Sequence, residues 1–312
     1  MRLVIALGGN ALLRRGEALT AANQRRNVDL AADALAPVIK AGHQVVLTHG
    51  NGPQVGLLAL QGEAYSDSAG FPLDVLGAQT EGMIGYLLER ALTSACGPAQ
   101  EFATLLTQTE VSPTDPAFLA PTKPIGPVYS EIEARAMATA RGWTITRDGQ
   151  HWRRVVPSPD PLRILEIATI RRLVDLGVTV ICAGGGGIPV MTREDGSLVG
   201  VEAVIDKDLA SALLADALGA DGLLLLTDVE GVFDAWGTPT EALIRTSTPA
   251  AMADRQLAAG SMGPKVAAAC RFAVHPGRFA AIGALGQAQA MLDGSAGTRI
   301  IPDDSRVSNG IA

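Results

Sequence analysis

Leu3-Val-Ile-Ala-Leu7, followed at once by Gly8-Gly9-Asn10, is the stretch on which the fold turns. A short, wholly apolar run of this kind reads as a strand covered on both faces. The glycines at its end let backbone N–H groups come close to an anion, and Asn10 adds an amide donor. The pattern recurs. Val45–Thr48 is a second strand and runs into His49-Gly-Asn-Gly-Pro-Gln-Val-Gly56. There Gly50, Asn51 and Gly52 can offer consecutive N–H donors. Pro53 suits the first turn of a helix whose positive dipole end lies beneath an anion. Thr179–Ala183 is a third strand, followed by Gly184–Gly187. Four glycines cost conformational entropy and imply close backbone approach to a ligand, or a hinge.

Helical patterns separate these strands. They cover Ala21–Ala41 (stopped by Gly42), Leu73–Thr93, Ile164–Leu176 (closed by Gly177), Lys207–Leu218, Lys265–Val274 and Leu285–Leu292. Phe102–Leu106, Leu223–Thr227 and Ala280–Ile282 are further strands. The alternation predicts an α/β fold, with a mainly parallel central sheet sandwiched by helices and ligands at the carboxyl ends of its strands. At 312 residues the chain exceeds the usual single core. Residues 1–200 are expected to form an N-terminal lobe and 201–312 a C-terminal lobe. Pro113–Pro161 breaks the rhythm with eight prolines. Inside it, Trp143–Thr146 and Trp152–Val156 flank Asp148-Gly149, a type I′ hairpin signal. A small protruding subdomain over about 113–161 is predicted.

Lysine is scarce. Of 25 basic residues four are Lys: Lys40, Lys123, Lys207 and Lys265. Where Arg does the generic surface work, a retained Lys suits a site that needs a compact point charge, such as one facing phosphoryl oxygens. Lys40, at a helix end, reads as a solvated cation. Lys207 lies between Asp206 and Asp208, and Asp208 is placed to orient ammonium groups rather than to act as a base. Thr227-Asp-Val-Glu-Gly-Val-Phe233 follows a buried strand and reads as a nucleotide pocket. His49 reads as structural, with no Ser or Cys nucleophile in a recognisable context.

The net charge of -7 gives no field for gripping nucleic acid or an anionic membrane. Cys96, Cys182 and Cys270 are odd in number and widely spaced, so neither a disulfide framework nor a metal-binding pattern is expected. No uncharged run reaches membrane-spanning length. Gly8-Gly9-Asn10 interrupts what otherwise begins like a signal peptide, and the expected home is the cytoplasm.

Together these segments resemble the carbamate kinases of the amino acid kinase superfamily. The matching stretches are Ala6–Ala11, His49–Gly56, Pro121–Pro127, Trp152–Pro159, Gly184–Val190, Val201–Asp208 and Gly260–Lys265. Many superfamily members carry Lys just before the first glycine pair. Here that position is Ala6, and the resemblance implies that Lys123 supplies the charge from the protruding subdomain. Thr227–Val232 is closer to the general superfamily pattern, and Gly263 stands where a bulkier residue is expected.

The resemblance implies reversible phosphoryl transfer between ATP and carbamate, giving ADP and carbamoyl phosphate, in arginine catabolism with ATP synthesis. Lys123, Lys207, Lys265, Asp208, Gly9 and Asn10 would be catalytic. Gly8, Gly50, Asn51, Gly52, Gly186 and Gly187 would bind substrate and phosphate. Thr227, Asp228, Val229, Phe233, Ser261 and Met262 would bind nucleotide. Mg²⁺ would ride on the nucleotide with no protein metal site, and the chain would be a homodimer. Two other readings are a kinase of the same fold acting on a different small acid, and a catalytically silent nucleotide-binding regulator.

Overall fold

The computed structural model describes residues 1–14, 16–65, 70–253, 255 and 262–303. Its centre is an eight-stranded sheet. From one edge to the other the strands are Thr246–Ser247, Thr298–Ile300, Phe279–Ala284, Gly222–Thr227, Arg2–Leu7, Gln44–His49, Thr179–Ile181 and Phe102–Thr104. Every pairing is parallel except that of Phe279–Ala284 with Thr298–Ile300. The sheet is therefore the mainly parallel, helix-covered one that the apolar runs predict.

Alternation along the first strand explains its two-sided burial. Val4 and Ala6 join one core with Val46, Leu223 and Leu225, while Leu3, Ile5 and Leu7 join another with Leu47, Leu224 and Leu226. Helices Lys207–Leu218 and Met262–Ala273 cover the first face, and Ala21–Lys40 and Leu73–Cys96 the second. The first strand is also where the order reverses. The chain leaves it on one side for Gln44–His49 and returns on the other as Gly222–Thr227. Ligand crevices form at the carboxyl ends of strands at such a point, and Gly8-Gly9 and Gly50 follow two of them.

A second sheet of four strands was not legible in the sequence. It runs Leu198–Gly200, Ile188–Thr192, Gln108–Val111, Pro161–Ile164 and is mixed in direction. It also shortens one predicted helix. Residue 164 ends a strand, and the helix spans Ile167–Asp175. The predicted helix Leu285–Leu292 divides into a 3₁₀ turn, Leu285–Gln287, and the helix Ala288–Leu292.

The excursion is a separate three-stranded antiparallel sheet, Lys123–Tyr129, His151–Val156 and Thr144–Asp148, with helix Glu131–Arg141. That helix has a complete capping box from Ser130 and Glu133. The hairpin is present, one residue later than predicted. Asp148 pairs with His151, so the loop is Gly149–Gln150. Gly149 has φ 64° and Gln150 is not left-handed, the pattern of a type II′ turn rather than type I′.

The excursion docks on helix Gly52–Tyr65. Glu63 forms ion pairs with Arg141 and Arg154, and both guanidiniums lie over Trp143. At the tightest point two backbones meet: a Cβ on Gly56 would fall 2.0 Å from Gly126 Cα. No helix among the described residues is long and apolar enough to cross a membrane.

Candidate functional site

Two predicted lysines converge on one predicted carboxylate. Asp208 Oδ1 accepts from Lys207 Nζ at 2.6 Å, and Asp208 Oδ2 accepts from Lys265 Nζ at 3.1 Å. The two lysines come from different helices, Lys207–Leu218 and Met262–Ala273, packed side by side. All three side chains are nearly dry, at 11%, 8% and 6% exposure for Lys207, Lys265 and Asp208. Burial alone would raise the Asp208 carboxyl, but the two ammonium groups outweigh it and hold it down to about 2. Burial and the charge of Lys265 push the Lys207 ammonium below its usual range. Two ammoniums on one carboxylate leave a net positive charge in a dry place. An unbalanced buried charge is costly, so the cluster favours an anion beside it.

The chain places this cluster by capping. Asp206 Oδ1 accepts from the N–H groups of Asp208 and Leu209, fixing the helix start. Ser211 donates to the Lys207 carbonyl, and its oxygen lies 2.7 Å from Thr48 Oγ1. That contact ties the helix to the strand that feeds the second glycine loop. Lys123 reaches the same helix start from the excursion, with Nζ 2.5 Å from Asp206 Oδ2. This contact is half-open, with Lys123 30% exposed. Asp206, one of the two carboxylates that flank Lys207 in the sequence, thus caps the helix and also meets Lys123, two roles not assigned to it from sequence. An Asp just before a helical run is a capping signal that was there to be read.

The glycine loops divide into two kinds. Gly9 opens the short helix Gly9–Leu12, and Gly52 opens Gly52–Tyr65. Their first N–H groups have no intrahelical partner and can face an anion. The neighbouring N–H groups are not available as predicted: that of Gly8 donates to the Leu226 carbonyl and that of Gly50 to the Leu7 carbonyl. Both glycines serve close packing instead. A Cβ on Gly8 would lie 2.8 Å from Leu226 O, and one on Gly50 would lie 3.0 Å from Gly9 N. The Asn51 side chain turns inward, donating to Thr80 Oγ1. Asn10 lies in the same short helix as Gly9, and its side chain is outside the described structure.

Ala183–Gly187 is different. It is buried and left-handed at Ala183, Gly185, Gly186 and Gly187. The close approach its glycines permit is to the protein's own side chains. Missing Cβ positions face His49 and Glu81 at Gly184, Asn51 at Gly185, Ile205 at Gly186 and Thr109 at Gly187. Gly186 and Gly187 therefore act as packing positions, a third reason for glycine beside the two anticipated. Glu81 braces this loop from helix Leu73–Cys96, accepting from the Thr107 N–H at 2.8 Å. Burial pushes its carboxyl well above the usual range, and the Glu166 charge adds to this against the Thr107 hydrogen bond. His49 is buried and, chiefly by burial, pushed down to about 4. A neutral His49 is not a general base poised near pH 7, in keeping with its structural reading.

Among the residues predicted to meet a nucleotide, Thr227 and Asp228 line a cavity of about 500 Å³ at the carboxyl ends of two central strands, with Ala11, Arg14, Asn27 and Gly286. Val229 follows them, half-buried. Phe233 stands apart. It pairs with Leu243 in a small ribbon and packs edge-on against Trp236. Met262 begins the helix that carries Lys265. Ser261 lies outside the described residues. Among the described residues no three His, Cys, Asp or Glu side chains gather to hold a metal ion. With Asp208 filled by two ammoniums, the side chains suit a cation brought in on a ligand better than one held by the protein.

Nearly the whole chain is similar to proteins of one family. The model of the amino acid kinase family matches residues 1–282. Carbamate kinase of Rhizobium meliloti (strain 1021) is 55% identical over 302 residues, covering 96% of this chain and 93% of that protein. Carbamate kinase of Haemophilus influenzae (strain ATCC 51907 / DSM 11121 / KW20 / Rd) is 53% identical and covers 99% of each. A solved structure of carbamate kinase from Giardia lamblia bound to AMP-PNP matches with a TM-score of 0.87 at 45% identity, over 97% of this chain and 98% of that one. The chain belongs to the amino acid kinase family and, within it, to the carbamate kinases.

Proposed function

We propose that this chain transfers a phosphoryl group reversibly between ATP and carbamate, giving ADP and carbamoyl phosphate. The observation that carries the reading is the pair of lysines on one buried carboxylate, Lys207 and Lys265 on Asp208. In-line phosphoryl transfer asks mainly for positioning and charge neutralisation, and a dry pair of point charges supplies both. A carbamate oxygen attacks the γ-phosphorus as the bond to the bridging β-γ oxygen breaks. Carbamate is already an anion, so no proton need be removed. Lys207 and Lys265 neutralise the oxygens of the moving group, with Asp208 holding both ammoniums in place. The Gly9 and Gly52 amides face the carbamate and phosphoryl side, and Lys123 closes over the acceptor. Mg²⁺ carried by the nucleotide would neutralise further phosphate charge while keeping part of its water shell.

Thr227, Asp228, Val229 and Met262 are proposed to contact the nucleotide, and the AMP-PNP bound to the Giardia lamblia protein supports a nucleotide site in this family. We place the reaction in arginine catabolism, running towards ATP. Three unpaired cysteines favour a reducing, cytoplasmic home. The exposed apolar Met83 and Tyr86 on helix Leu73–Cys96 favour a homodimer.

The test is ATP formation from ADP by purified protein. Carbamoyl phosphate should support it far better than acetyl phosphate or acetylglutamyl phosphate. Equal turnover with acetylglutamyl phosphate would move the substrate to a different small acid.

A further inference from the structure

Asp206 spends its two oxygens on two different parts of the molecule. Oδ1 accepts from the N–H groups of Asp208 and Leu209 at 2.9 and 3.3 Å, at the start of the helix that carries Lys207 and Asp208. Oδ2 holds the excursion's Lys123 ammonium at 2.5 Å. Its side chain is only 13% exposed, so the contact is drier than an ordinary surface ion pair. Lys123 is also the first residue of the strand Lys123–Tyr129, and Gly126 of that strand is the point where the excursion meets Gly56. The ammonium therefore lies at the junction of docked excursion and lysine cluster.

We propose that Asp206 is a positioning residue that couples docking of the excursion to the lysine cluster. One oxygen keeps the Lys207–Asp208 turn in shape while the other draws Lys123 to it. Asp206 acts through Lys123 and not on the reacting atoms. Without its carboxylate, Lys123 loses the counter-charge it is bonded to at the helix start, and the docked state loses a tie. The idea rests on the carbamate kinase reading for its kinetic test and not for its structural one.

The discriminating variant is Asp206→Asn. Asn caps helices about as well as Asp, so the Lys207–Asp208 turn should survive and Tm should stay near that of the unmodified protein. The negative charge facing Lys123 is lost. KM for carbamoyl phosphate should rise about tenfold while kcat changes less than about threefold, the split for a residue that positions a binding group. In a Lys123→Met background the same change should add less than about twofold, because the partner is already gone. Asp206→Ser, which also caps without charge, guards against a folding defect peculiar to Asn. Asp206→Ala should lose the cap as well, and with it Tm. Fold-losses that multiply in the double variant, or an unchanged KM in both capping variants, would overturn the proposal. A reading independent of turnover is amide hydrogen exchange over Lys123–Tyr129. It should speed up severalfold in Asp206→Asn, and unchanged exchange would count against the coupling even if the unmodified chain made no ATP. Failure of ATP synthesis by the unmodified chain, with faster exchange in the variant, would instead overturn the assigned reaction alone.

Discussion

Asp208 and Asp206 stand two residues apart and each holds lysine, yet the two contacts differ in kind. The Asp208 contact is dry, doubly bonded and made between two helices of the main body. The Asp206 contact is single and half-open, and it joins the main body to the excursion. In the dry contact the ammoniums cannot leave without stranding a buried charge, which costs several kcal/mol. In the half-open contact solvent already reaches the Lys123 side chain, so parting the pair costs less than parting the dry one. Under the proposed reaction, the difference would separate charges kept fixed on the moving phosphoryl group from a charge that arrives with the excursion.

The most severe way to break this contrast is at the fixed end. Lys207→Met or Lys265→Met should lower kcat by about two to four orders of magnitude, roughly 3–5 kcal/mol of transition-state stabilisation. Lys→Arg should rescue poorly, since a planar guanidinium does not fit a dry site built round a point charge. Steady-state kinetics in the ATP-forming direction decide it. A near-normal kcat in both Met variants would remove the phosphate clamp from the mechanism while leaving the family assignment intact.

At the released end the effect should be smaller and of another type. Lys123→Met should cost about 10- to 100-fold in kcat/KM for carbamoyl phosphate, mostly through KM. Gly56→Ala should mimic it without touching a charge. The new Cβ would fall 2.0 Å from Gly126 Cα, backbone against backbone, so the excursion cannot seat as it does. If Gly56→Ala leaves KM unchanged, the docked position is not the one that delivers Lys123.

How much of this could be read beforehand follows the same line between fixed and movable parts. The parallel strands were legible because strands buried on both faces are unbroken apolar runs, as in Leu3–Leu7 and Leu223–Leu226. Lys207–Leu218 was placed to the residue, with Asp206 before it and Gly219 after it. The four-stranded sheet was missed because Leu198–Gly200 has three residues and the alternation of Gln108–Val111 runs for only four. Helix Glu131–Arg141 was missed although Ser130 and Glu133 spell its capping box. That Lys207, Lys265 and Asp208 lie together was foreshadowed in part, because a scarce lysine, Lys207, stands beside a carboxylate in the sequence. The packing role of Gly8, Gly50, Gly186 and Gly187 was not foreseen. A glycine shows that something comes close, and sequence does not say whether it is a ligand or the protein's own backbone and side chains.

The floor under the dry contact offers a third, milder test. His49 is pushed down to about 4 from an ordinary value of 6.5. A depressed base stays neutral in the folded chain while the unfolded chain takes up a proton. Its contribution is therefore intact above about pH 6.5 and is lost as pH falls towards 4, about 2 kcal/mol of it by pH 5. Glu81 works with the opposite sign. Its raised carboxyl favours the fold at low pH and loses that contribution as pH rises above its ordinary range. Denaturant unfolding at pH 7 and pH 5 should therefore show a steeper acid loss in Glu81→Gln than in the unmodified chain. A further His49→Gln change should flatten it. An unchanged slope on adding His49→Gln would mean that the ring is already charged in the folded state.

The smallest effect belongs to Lys40, the one lysine outside the site. It is not the free cation that its exposed position suggests, because its Nζ donates to the Ala95 carbonyl at 2.7 Å, in the last turn of helix Leu73–Cys96. A cation over the last carbonyls of a helix satisfies an acceptor and complements the dipole, worth about 0.3–1 kcal/mol at an exposed site. Lys40→Met should therefore lower stability by no more than about 1 kcal/mol and leave kcat and KM unchanged. It carries the same change of side chain as the site variants, on a lysine that is also hydrogen-bonded. A kinetic defect in Lys40→Met comparable to that of Lys123→Met would show that loss of any lysine disturbs turnover. The contrast between the Asp208 and Asp206 contacts would then have to rest on the Gly56→Ala and Asp206→Asn results alone.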